Sequence, residues 1–157
     1  MKPFPKDFLD FLKLLAEQEV RYLVVGGYAL SYHGYVRFTG DLDIFVEVSE
    51  ENSKRLSEVF LGFGFSSGFD SSLFSEKGKM VRIGTPPMRL EILTEISGVE
   101  FEDAYEFAEV LDYEGIEITF IDFNNLIRNK RSAGRPKDIS DVQELLESRK
   151  NRHKKTD

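Results

Sequence analysis

The stretch Asp41-Leu42-Asp43-Ile44-Phe45-Val46-Glu47-Val48 alternates with period two, and no other segment of the 157-residue chain dictates its local structure so firmly. Leu42, Ile44, Val46 and Val48 point to one face of a strand, and Asp41, Asp43, Phe45 and Glu47 to the other. With the aliphatic face in the core, two carboxylates stand on the opposite face, about 6.5–7 Å apart along the backbone. Two readings are open for such a pair. It can be the solvent face of a half-buried strand. It can also hold a hard cation through oxygen, leaving the remaining ligand positions to water and phosphate, as Mg²⁺ prefers. A third acid on a neighbouring strand would complete a two-metal clamp. Glu91 is the candidate, because the alternation of residues 88–93 sets it opposite Leu90 and Ile92 and on the face of Arg89.

Around this strand the periodicities predict the other elements. Phe8, Phe11, Leu12 and Leu15 mark an amphipathic helix with Pro5 near its start. Residues 20–25 form an apolar run ending at Gly26-Gly27, read as strand and tight turn, with a short helix over 28–33. Ser49 followed by Glu50 and Glu51 suits a capped helix running to about Leu61. Residues 62–78 have no clear period and read as a loop or irregular strand. Residues 79–83 and 88–93 flank Gly84-Thr85-Pro86-Pro87 as an antiparallel hairpin. Residues 101–110 are predicted as a helix and 116–120 as the last strand. Asp122 then caps a helix to about Arg131, and Pro136 opens a final one to about Arg149. The order predicts an α+β fold: a small mixed sheet with flanking helices and a helical C-terminal segment. The expected organisation is a single domain over 1–149 and a basic, frayed tail over 150–157.

Composition narrows the chemistry. The chain has no cysteine and only His33 and His153 as histidines, which excludes disulfides, thiol nucleophiles and Cys- or His-rich zinc sites. Asp7 and Asp10 interrupt the apolar residues of 1–15, so no signal peptide is expected, and no run approaches the ~20 apolar residues of a membrane span. The default expectation is a soluble cytoplasmic protein without membrane contact. Charge is unevenly placed: residues 1–125 carry 11 basic and 23 acidic side chains, residues 126–157 carry 10 basic and 5 acidic. The basic quarter is either a solvated helix with a frayed end or a local phosphate contact.

The glycine pair is open in the same way. Gly26-Gly27 is either an ordinary tight turn or a place where backbone approaches an anion closely. Other matches are decoys. Gly64-Phe65-Ser66-Ser67-Gly68 satisfies G-x-S-x-G, but no strong strand precedes it and no helix follows, so a serine hydrolase is rejected. A P-loop and a dinucleotide-binding G-x-G-x-x-G opening a helix are both missing.

Val24-Val25-Gly26-Gly27-Tyr28-Ala29-Leu30, followed by Arg37-Phe38-Thr39-Gly40-Asp41-Leu42-Asp43-Ile44, resembles the nucleotidyltransferase superfamily with a polymerase-β-like core. Within it the chain is similar to the small bacterial nucleotidyltransferases that include abortive-infection toxins. Arg128-Asn129-Lys130 and Arg135-Pro136-Lys137-Asp138-Ile139-Ser140-Asp141 extend the resemblance to the C-terminal third. It implies that Asp41, Asp43 and Glu91 are catalytic and bind Mg²⁺, or Mn²⁺ in its place. It implies that Gly26, Gly27, Tyr28, Arg37, Thr39, Lys130, Arg135 and Lys137 bind the nucleotide, with Asp138 and Asp141 orienting those bases. A salt-bridge network at a helix start is the other reading of the Lys130–Asp141 groups. The implied activity moves a nucleoside monophosphate from a nucleoside triphosphate to an acceptor hydroxyl, on a protein or an RNA end such as that of a tRNA, releasing pyrophosphate. Two departures stand out: Tyr28 follows the glycines where many active members have Ser, and the third acid is Glu rather than the more usual Asp. They motivate an alternative, an inactive nucleotide- or partner-binding module of a toxin–antitoxin-like system with a cognate partner protein.

Overall fold

The structure is a computed structural model describing residues 1–157 apart from 38–39, 66–70, 86 and 157, with the backbone alone for 71 and 153–156. The elements run α1 (Lys6–Glu17), β1 (Tyr22–Val25), α2 (Gly26–Tyr32), β2 (Asp41–Val46), α3 (Glu50–Gly62), β3 (Met80–Thr85), β4 (Met88–Leu93), α4 (Phe101–Tyr105), β5 (Glu109–Tyr113), β6 (Ile116–Phe120), α5 (Phe123–Ala133) and α6 (Pro136–Thr156). A 3-10 turn covers Ser71–Phe74. The six strands form one mixed sheet in the order β3-β4-β2-β1-β6-β5. β1 is antiparallel to β2 and parallel to β6, while β2 and β4 run parallel. The fold is α+β, and among the described residues no helix is long and apolar enough to cross a membrane.

The apolar periodicities fill the core as their spacing requires. Phe8, Phe11, Leu12 and Leu15 of α1 are buried together with Leu56, Val59 and Phe60 of α3 and the aliphatic residues Leu42, Ile44, Leu90 and Ile92 of the central strands. The acidic face of β2 is only partly open. At its far end Phe45 is buried edge-on against Phe101 of α4, ring centroids 5.2 Å apart, which leaves the Asp41–Asp43 end for other uses. Ser49 accepts a hydrogen bond from Asn52 N, and Asp122 from Asn125 N, capping α3 and α5.

Three expectations change. The helix of 101–110 stops at Tyr105, and Glu109–Tyr113 is instead an edge strand, β5, antiparallel to β6. Its hairpin closes through Glu114 and Gly115, both with positive φ, and Asp112 Oδ1 accepts from Gly115 N. Exposed Val110 and half-buried Glu109 blur the alternation that would mark this strand. In the region 62–78 the Ser71–Phe74 turn buries Phe74 against Phe60. The C-terminal helix, expected to end at about Arg149, continues to Thr156.

One buried polar residue ties the ends of β1 and β2 that lie away from Asp41 and Asp43. Asn52 Oδ1 accepts from Arg21 N at 2.8 Å, and its Nδ2 donates to Glu47 O at 2.9 Å and to Arg21 O at 3.1 Å. It thereby joins the start of β1, the end of β2 and the first turn of α3. Asn52→Ala should cost about 2–3 kcal/mol, because it strands buried backbone groups. Urea unfolding should show a lower midpoint at unchanged m-value.

Candidate active site

Strand register assembles the acidic cluster. In the parallel β2–β4 pair, Asp41 lies across from Arg89 and Asp43 across from Glu91. In the antiparallel β1–β2 pair, Val25 lies across from Asp43, so the turn after β1 lands beside the same carboxylate. Carboxylate oxygens of Asp41, Asp43 and Glu91 all come within 4.8 Å of one another. Gly26 has φ +66°, and a Cβ there would collide with Asp43 Oδ2. The glycine is thus required twice, once by its backbone conformation and once by the acid packed against it.

Three like charges this close must be compensated. Arg89 Nη2 sits 2.9 Å from Asp41 Oδ2 and 3.4 Å from Glu91 Oε1, and Arg82 Nε sits 3.0 Å from the same Glu91 oxygen. Asp43 bears most of the remaining strain. Burial pushes its carboxyl up, a hydrogen bond with Glu91 and the charges of Glu91 and Asp41 push further, and Lys130 offsets only part, bringing it to about 7. Asp43 Oδ1 is buried without a hydrogen-bond partner. An all-oxygen donor set with one buried, unpartnered oxygen and no Cβ at Gly26 fits a hard divalent cation. Neither arginine is among the candidates read from the sequence, although the alternation of β4 sets Arg89 on the same face as Glu91.

The basic residues of the C-terminal helices form a chain of ion pairs leading to the same place. Lys130, on α5, is buried with its Nζ 3.4 Å from Asp138 Oδ1 and 3.2 Å from Asp141 Oδ2, both on α6. Arg37 reaches Asp141 from the segment before β2, Nε to Oδ1 at 3.1 Å. Arg135 forks onto Asp138, Nε at 2.7 Å and Nη2 at 3.3 Å, and its backbone N–H adds a third bond. Burial raises the Asp138 carboxyl, but the Arg135 hydrogen bond and the charges of Lys130 and Arg135 outweigh it and hold it below its ordinary value. The salt-bridge reading of these residues is present in this arrangement, and the same network holds the Lys130 charge where it acts on Asp43. Arg135 and Lys137 are exposed.

One expected nucleotide contact turns its side chain into the core. The Tyr28 ring is in the core, stacked on Phe4 at 4.8 Å and edge-on to Phe8 at 5.9 Å, and burial pushes its hydroxyl up to about 12. Its side chain faces away from the acids because the turn sends the first residues of α2 inward. Thr39 lies outside the described residues. A separate cavity of about 160 Å³, lined in part by Phe45, Thr94, Val99 and Phe101, opens at the other end of β2.

Comparison with known proteins places the chain in a family and matches its fold. A family model described as "Nucleotidyl transferase of unknown function (DUF2204)" matches residues 5–157. A Thermotoga maritima protein assigned to the nucleotidyltransferases has a similar structure, with a TM-score of 0.56 at 15% identity over 89% of this chain and 90% of its own. An antigenic nucleotidyltransferase-like protein from Paracoccidioides brasiliensis gives a TM-score of 0.52 at 19% identity, over 92% of this chain and 78% of its own. No curated protein matches the chain.

The raised Asp43 carboxyl makes stability depend on pH in a defined direction. Its folded value, about 7, lies above the ordinary carboxylate value of 3.8, so the folded state binds a proton more tightly than the unfolded one. Its contribution is fully present below about pH 4 and lost as pH rises through about 7. Asp43→Asn should abolish that loss, so that its stability advantage over wild type without metal grows by about 2–3 kcal/mol between pH 5 and pH 8. Denaturation in chelator at the two pH values measures the difference.

Proposed function

The chain belongs to the family of nucleotidyl transferases of unknown function (DUF2204), and on that premise we propose that it moves a nucleoside monophosphate from a nucleoside triphosphate to an acceptor hydroxyl, releasing pyrophosphate. The observation that carries this reading is the convergence of Asp41, Asp43 and Glu91 beside the Gly26 turn. A fold can host many activities, whereas three carboxylates gathered on one face at electrostatic cost call for a cation.

In this reading Asp41, Asp43 and Glu91 hold Mg²⁺, with Mn²⁺ as the substitute. When bound, the ion supplies positive charge for the triphosphate and lowers the cost of deprotonating the acceptor hydroxyl. Gly26 and Gly27 let the backbone come close to the triphosphate, and Tyr28 contributes there through its backbone alone. Lys130 presents positive charge next to Asp43, held in place by Asp138 and Asp141, so those two aspartates and Arg37 act as positioning residues. Exposed Arg135 and Lys137 offer further charge to the nucleotide. Catalysis would rest on positioning and charge neutralisation. The acceptor is a hydroxyl of a protein or of an RNA end such as a tRNA, and the setting is the cytoplasm.

A second reading is an inactive nucleotide- or partner-binding module of a toxin–antitoxin-like pair. The buried Tyr28 ring favours it, because no hydroxyl follows the glycine turn on the site side. Calorimetry and label transfer separate the two. Wild type should bind a triphosphate far better with Mg²⁺ than with EDTA, and Asp43→Ala should abolish the metal-dependent gain. Labelled nucleotide should pass to an acceptor in a lysate, with turnover falling at least a hundredfold in Asp41→Asn. Binding without transfer from any of the four triphosphates would establish the module. Equal affinity with Mg²⁺ and EDTA would overturn the metal assignment.

A further inference from the structure

We propose that Arg89 is the resident cation of the acidic triad, and that a divalent ion must take Asp41 and Glu91 from it in order to bind. The inference rests on the metal-binding reading of the triad and adds a competitor to it. One guanidinium nitrogen, Arg89 Nη2, bridges the two outer members, at 2.9 Å from Asp41 Oδ2 and 3.4 Å from Glu91 Oε1. The lone pairs those two oxygens give to Nη2 are lone pairs a cation would use. Among the described residues no arginine bridges Asp43, the third member, to a neighbour in the same way, and its buried Oδ1 has no hydrogen-bond partner.

The backbone makes the bridge a built feature. Arg89 lies directly across from Asp41 on the parallel strand, and it sits two residues before Glu91, on the same face. Its side chain is only 25% exposed, so the attraction is weakly screened. The pairing draws the Arg89 guanidinium further toward its charged form, through the Asp41 hydrogen bond first.

The guanidinium is nonetheless held incompletely. Arg89 Nε is buried without a hydrogen-bond partner. Arg135, by contrast, places both Nε and Nη2 on Asp138. A fork with both prongs engaged is the strong form of an arginine–carboxylate pair, and Arg89 uses one nitrogen for two acids instead. That geometry holds the triad together when it would otherwise repel itself, yet it can yield to a doubly charged ion. Arg89 therefore sets the threshold at which metal enters.

Arg82 provides the control. Its Nε lies 3.0 Å from Glu91 Oε1, but its side chain is 54% exposed and it has no bond to Asp41 among the described contacts. Mn²⁺ titrations followed by electron paramagnetic resonance, at one pH and ionic strength, compare wild type with Arg89→Met and Arg82→Met. Arg89→Met should bind Mn²⁺ roughly five- to tenfold more tightly than wild type, and Arg82→Met should gain clearly less. In EDTA, Arg89→Met should melt below wild type, and Mn²⁺ should remove the deficit. If the Met variant does not fold, Arg89→Gln takes its place with the same expectation. Equal gains in the two arginine variants would reduce the effect to charge lost anywhere nearby and overturn the proposal. Unchanged or weaker Mn²⁺ binding in Arg89→Met, with wild type still binding, would overturn it while leaving the metal reading intact. No binding by any of the proteins would remove both.

Discussion

The parallel pairing of β2 with β4 sets Asp43 opposite Glu91, and the rest of the site follows from that register. Side chains alternate along a strand, so a slip of one residue would present Leu90 or Ile92 to the aspartates and turn Glu91 toward the core. The core guards against the slip, since Leu90 and Ile92 are buried with Leu42 and Ile44 on the opposite face. Apolar burial thus fixes a polar geometry. The same pairing places Arg89 beside Asp41, and the antiparallel pairing with β1 brings Gly26 against Asp43.

Concentrated negative charge is expensive, and the fold offsets it from three directions. Arg82 comes from edge strand β3, Arg89 from β4 itself, and Lys130 from α5. Only Lys130 is itself buried, and it is shared with Asp138 and Asp141. Removing that lysine would take the buried cation from between two buried carboxylates, leaving Arg135 on Asp138 and Arg37 on Asp141, so its structural and chemical duties cannot be separated by deletion. The acidic body of the chain and its basic C-terminal quarter, an oddity of composition, meet at this network.

Features set by neighbours in sequence were legible, and those set by partners far along the chain were not. The β2 alternation, the α1 stripe, the Ser49 and Asp122 caps and the 80–93 hairpin are local patterns, and each stands where its residues indicated. The three acids could be nominated from period-two alternation alone, although their convergence required the register. Strand β5 reads as helix in the sequence because its solvent-facing residues include Val110, although the Glu114-Gly115 turn bounds it. The direction of Tyr28 depends on Phe4 and Phe8, residues that no local pattern links to the glycine turn. The bridge from Arg89 to Asp41 spans 48 positions in sequence, and the three-way role of Asn52 joins segments that periodicity treats as separate.

The placement of Tyr28 has a consequence for how this chain can change. Its ring is sandwiched with Phe4 and Phe8, and Phe4 in turn meets Tyr113 edge-on at 5.3 Å. A serine at that position would put a hydroxyl near the glycine turn only by emptying an aromatic nest, and a hole of that size in a packed interior costs several times what a surface hydroxyl returns. The position is therefore epistatically locked. Any lineage that altered the chemistry just past Gly27 would have to rebuild the N-terminal segment and the tip of the β5–β6 hairpin in the same stroke, so two distant stretches of the chain hold a veto over one residue beside the site.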